Sequence, residues 1–149
     1  MLQAQWRAVG IDVRLKTEPA RVLFGESLTK RKFQMALFAW LSSPENVPRT
    51  TLHSSMIPSE ANAWGGQNYT GFADPELDRL IDRIEIELDP VARKQQWREL
   101  QETYALELPS LPLWFRAQPF IFPKWLTGVV PTGNQFPTTL WVEEWQVAE

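Results

Sequence analysis

From its first residues the chain reads as the end of a helix. Leu2, Ala4 and Trp6 sit in a segment that reads as the last turns of a helix, and Gly10 supplies the stop. Ile11, Val13 and Leu15 then alternate with Asp12, Arg14 and Lys16, the period-two pattern of a half-exposed strand. After Pro19, Ala20, Val22, Leu23 and Leu28 suit a short helix weakened by Gly25. Residues 33–40 are nearly continuously apolar, as in a strand buried on both faces. Strand, helix and strand in that order predict a βαβ unit with a parallel pair and a right-handed crossover, so the expected class is α/β.

Residues 41–72 lose all periodicity and carry many Pro, Gly, Ser, Thr and Asn, although Trp64, Tyr69 and Phe72 favour an ordered loop. Two helix starts follow. Asp74 and Asp89 each stand where an N-cap belongs, with proline directly after. Leu77, Leu80, Ile81, Ile84 and Leu88 mark one helix face, and Trp97, Leu100 and Tyr104 mark the next until Pro109. The short connection predicts a helical hairpin. Residues 111–115 read as a short apolar strand, residues 118–137 as an extended path punctuated by proline, and residues 139–145 as a last strand. Such a Trp-, Phe- and Pro-rich tail is expected to need another surface to lie on.

Composition narrows the function. In 149 residues, 44% are apolar and the formal charge is −3, which argues against disorder and against a nucleic-acid partner. No run is apolar enough to span a membrane as a helix, and no cysteine is present for disulfides or thiolate chemistry. Residues 74–108 hold ten acidic against five basic residues, expected to form a solvated outer face rather than a cation site. Met1 is followed by Gln3, Gln5 and Arg7, unlike a signal peptide, and a start inside a helix suggests a functional form longer than this chain.

Catalytic chemistry finds little support. His53 is the only histidine, so a metal centre would need carboxylates alone, and no GxSxG-type elbow holds a serine. Gly65 and Gly66 lack the strand–turn–helix setting of a phosphate loop. No enzyme, cofactor or metal is expected. The remaining candidate lies where the apolar run ends, because ligands of open α/β sheets gather at the carboxyl ends of strands. There Trp40 is followed by Leu41, Ser42, Ser43, Pro44, Glu45 and Asn46, an aromatic wall beside small polar groups.

Several segments, in order, resemble the C-terminal part of the solute-binding proteins of ABC importers, a family that carries peptides, nickel and oligosaccharides. The segment from Leu2 to Trp6 with Gly10, Ile11 and Val13 resembles its helix end and following strand. Phe33, Gln34 and Met35 through Trp40 resemble its strand-to-tryptophan turn. Asn68, Gly71 and Phe72 with Pro75, Glu76, Asp78, Leu80 and Ile81 resemble a further signature, and Leu108, Pro109, Leu111 and Pro112 resemble its closing strand.

The resemblance implies part of the second lobe of a type II periplasmic-binding-protein fold. Residues 1–117 would form an incomplete ligand-binding lobe, and residues 118–149 a returning segment that packs on an absent first lobe. It also implies a solute held between two lobes, an importer permease as partner, and a periplasmic or extracellular site for the whole protein. The implied ligand-binding residues are Trp40, Leu41, Ser42, Ser43 and Asn46, with Trp64 a looser choice. In peptide-binding members an aspartate after the tryptophan pairs with the ligand's ammonium. Ser43 stands at that position, so the charge is gone, with Glu45 a conceivable substitute and a sugar-like solute left open. The alternatives are a half-lobe that associates with itself, as a homodimer, or with a partner through its tail, and a tryptophan-based sugar module, which the α/β class disfavours.

Overall fold

The computed structural model describes residues 1–43, 46–115, 117–134 and 136–148. Pro44 and Glu45, with Glu45's conceivable role in holding an ammonium, lie outside the described residues. The first helix, α1 (Leu2–Ala8), ends as expected: Gly10 has φ +86°, and its N–H donates to the Arg7 carbonyl at 3.1 Å. Gln3 Nε2 donates to the Val13 carbonyl at 2.6 Å, which ties the following extended segment to α1.

The helix expected after Pro19 divides. A single turn, α2 (Ala20–Val22), runs into a π-helical turn, Leu23–Leu28, that buries Ser27 and Leu28. Ser27 Oγ donates to Glu18 at 2.6 Å. Lys16 at 2.6 Å and this hydroxyl together hold the Glu18 carboxyl below its usual range.

The expected parallel pair does not form. Residues 11–16 and 33–40 are extended, but neither has a ladder partner among the described residues, and Met35, Leu37 and Trp40 are exposed instead of buried on both faces. A strand is made by its neighbour, and no described strand lies alongside. The same holds for residues 111–115, where Trp114 and Phe115 face solvent. Of residues 139–145, expected as a strand, all but Trp145 belong to a 3-10 segment, Thr138–Glu144, kinked at Trp141. The one sheet among the described residues is a two-residue antiparallel ladder of β1 (Leu126–Thr127) with β2 (Gln146–Val147), in register Leu126↔Val147.

The core belongs to the middle of the chain. Within residues 41–72, α3 (Arg49–Leu52) and two 3-10 turns, Ser54–Met56 and Glu60–Asn62, build a packed loop. Then come α4 (Pro75–Ile86) and α5 (Pro90–Glu107). Asp74 accepts from the Glu76 N–H at 2.8 Å and Asp89 from the Val91 N–H at 3.0 Å, so both caps work as expected. Leu77, Leu80, Ile81 and Ile84 of α4 pack with Leu52 and Leu100, flanked by Val47, Phe72, Trp97 and Tyr104. Leu88, expected on this face, is 94% exposed, because the helix ends at Ile86 and the turn carries Leu88 outward.

Outside that core the surface is large. The solvent-accessible area is 11,676 Å² for 17.3 kDa, where a compact monomer of that mass exposes about 7,800 Å². No helix among the described residues is long and apolar enough to cross a membrane.

Candidate functional site

Four rings meet at the end of the apolar run. Trp40 stacks on Tyr69, with centroids 6.4 Å apart and planes inclined by 20°. Phe38 meets the Trp40 ring edge-on at 5.5 Å and Tyr69 at 6.1 Å. Phe24, from the π-helical turn, closes the group at 5.7 Å from Phe38 and 6.0 Å from Trp40. Edge-to-face and offset arrangements are the favourable ones for aromatic quadrupoles. Tyr69 is buried beneath, whereas Trp40 keeps 47% of its surface exposed. The result is a supported but open aromatic platform, able to stack on a flat apolar group.

The turn beyond Trp40 carries the other expected site residues. Leu41 and Ser42 are exposed, Ser43 is half-buried, and the Asn46 N–H donates to the Ser43 carbonyl at 3.3 Å. Trp64 sits elsewhere, on a left-handed turn with φ +61°, where its N–H donates to the Ser59 carbonyl at 2.7 Å. It makes none of the ring contacts of the platform among the described residues. Sequence reasoning missed Phe24 and Tyr69 as partners of Trp40. The signal was only their aromatic character, since they lie 16 and 29 positions from Trp40.

What holds Tyr69 is a polar hub one residue before it. Asn68 is fully buried, and its amide Nδ2 faces three carbonyls, those of Leu52 at 3.0 Å, His53 at 3.2 Å and Phe72 at 2.8 Å. Its Oδ1 accepts from Thr70 Oγ1 at 3.1 Å. The three carbonyls assign the amide's orientation, because only the NH₂ end can donate to them. Nearby, Gly66 has φ +90°, and a Cβ there would lie 2.1 Å from the Met56 carbonyl oxygen, so only glycine fits this crossing.

The loop is also clamped onto α4. Arg49 pairs with Asp82 and, at 2.8 Å, with Glu85. Hydrogen bonds to Glu85 and Asp82 raise the Arg49 pKa, and Arg49 in turn holds the Asp82 carboxyl below its ordinary range. The Ser54 N–H donates to Asp78 at 2.9 Å, and Ser54 Oγ donates to the other oxygen of that carboxylate. His53 Nδ1 accepts from the Ser55 N–H at 3.1 Å, while its Nε2 lies 3.6 Å from Asp82. The acidic face expected to be merely solvated therefore docks the loop with Asp78, Asp82 and Glu85.

No family model matches the chain. In sequence it is 26% identical over 134 residues to the oligopeptide-binding protein OppA of Bacillus subtilis, covering 89% of this chain and 23% of that protein. In structure it matches NikZ from Campylobacter jejuni, solved in complex with Ni(L-His), with a TM-score of 0.66 at 20% identity. That match covers 97% of this chain and 29% of NikZ. Both relatives are solute-binding proteins of ABC importers, not enzymes, and NikZ has the type II periplasmic-binding-protein fold. The chain thus spans about a quarter of each protein it matches.

Proposed function

We propose that this chain is the second-lobe portion of an importer's solute-binding protein, taking a peptide or similar small solute against the platform around Trp40. In this reading residues 1–117 supply the partial ligand lobe and residues 118–149 return across a first lobe. Trp40 offers its open ring face, and Leu41, Ser42, Ser43 and Asn46 line the adjacent turn with backbone and hydroxyl groups. Trp64 stands at the margin. The whole protein would work outside the cytoplasm beside a permease, by closing two lobes on the solute.

The observation that carries the reading is the half-exposed Trp40 backed by three rings at the end of an extended segment. The extended segments without ladder partners and the large apolar surface support it, since the rest of such a protein would cover both. Titration calorimetry of the whole protein with trialanine, and separately with nickel plus L-histidine, provides the test. Trp40→Ala is expected to abolish the heat of binding of whichever probe the parent binds while the melting temperature holds. Undiminished affinity in a folded Trp40→Ala protein would overturn it.

A further inference from the structure

The ligand platform depends on a residue that cannot touch a ligand. We infer that Asn68 is a positioning residue for the Trp40 platform, holding Tyr69 beneath the indole through its side-chain hydrogen bonds; this rests on the reading of Trp40 as a ligand-contacting ring.

The argument runs through the backbone. Tyr69 has one face against Trp40 and belongs to a segment with no regular structure of its own. A ring in such a segment stays in place only if the backbone on either side is held. Asn68 does this from the inside, joining the carbonyls of Leu52 and His53 on one limb of the loop to that of Phe72 on the other. Its own N–H donates to the Met56 carbonyl at 3.1 Å, and its carbonyl accepts from the Gly71 N–H at 3.1 Å. The amide therefore bridges both limbs while fully shielded from water, where an unmet donor or acceptor is costly. Leu52 belongs to the core, so the platform is referenced through Asn68 to the buried cluster of α4 and α5.

The test reads platform geometry without any solute, so its failure is distinct from failure of the binding proposal. The protein is labelled with 5-fluorotryptophan, and the Trp40 resonance is assigned by its loss in Trp40→Phe. In Asn68→Ala that resonance is expected to shift toward its position in Tyr69→Leu. Ile84→Val, a core change that loosens packing without touching the hub, is expected to leave it unmoved.

If Asn68→Ala does not fold, Asn68→Asp carries the test. A protonated carboxyl can still donate to one carbonyl, whereas an ionised one repels all three. The Trp40 resonance should then titrate, with a midpoint above the ordinary carboxylate range because the group is buried. Its acid limit should approach the parent position, and the parent resonance should stay flat. A folded Asn68→Ala protein with the Trp40 resonance at its parent position would overturn the assignment. So would a shift equalled in Ile84→Val, or an Asn68→Asp resonance that does not titrate.

Discussion

Between residues 47 and 108 lie all the residues of the one core cluster, whereas from residue 109 to 148 no described side chain is buried. Hydrophobicity is not the difference. The second stretch holds four of the chain's eight tryptophans, and Trp114 and Phe115 stand in solvent. What differs is where the partner lies. In the first stretch the core residues of α4 meet one another a helical turn apart, Leu100 from α5 across a short hairpin, and Leu52 from the clamped loop. In the second, the proline-broken chain offers only local contacts, such as Phe120 stacked on Phe122 at 6.1 Å, and leaves Trp114 and Phe115 exposed. Burial is a property of pairs of surfaces, and only the first stretch carries both members of the pair.

The sharpest way to break this contrast is to empty the core. Ile81 is fully buried among leucines, so Ile81→Ala should cost about 2–5 kcal/mol, read by chemical denaturation. A loss below about 1 kcal/mol would mean that the hairpin core does not carry the fold. Next in size is Asp74→Ala, which leaves the first N–H groups of α4 unmet and should cost about 1 kcal/mol by the same measurement.

Smaller is the effect of acid on the loop clamp. The Asp82 carboxyl is held below its ordinary range, so its contribution is complete above the unfolded-state value of about 3.9 and is lost as pH falls through the folded value. Hydrogen exchange at the 49–56 amides should accelerate below about pH 4 relative to that at Ile81. Arg49→Ala should produce the same acceleration already at neutral pH, and equal protection in the two proteins would remove the clamp from the account. Smallest of all, Phe115→Ser in this chain should change stability by less than about 0.5 kcal/mol, because the ring touches little. In the whole protein the same substitution should destabilise markedly if a first lobe covers that ring. Size-exclusion of the isolated chain sharpens the alternative, since a tight dimer would mean that the tail finds its cover in a second copy.

Local chemistry was the legible part. Asp74 and Asp89 with their prolines announced α4 and α5, the 3.6-residue spacing named five of the six core residues, and Gly10 marked the end of α1. Strands were misjudged because alternation in residues 11–16 and continuous apolarity in residues 33–40 say which faces want cover, not whether a neighbouring strand is present. At the site, Trp40 stood out by type and place. Tyr69, Phe24 and Asn68 did not, because their roles arise from contacts across many positions that no short window contains. Asn68 was visible only as part of a resemblance, without the burial that gives it meaning. Arg49 went unnoticed for the same reason, as its acids lie 33 and 36 residues away.

The helical hairpin also sets an order of events. α4 and α5 are joined across Glu87, Leu88 and Asp89, so their contacts close only a short stretch of chain. The loop must find Asp78, Asp82 and Glu85 across some thirty residues, and the platform must bring Trp40 to Tyr69 across a similar span. Short closures are quick and long ones slow. During synthesis the platform residues leave the ribosome first yet are completed last, once the hairpin that follows them offers a template to dock on.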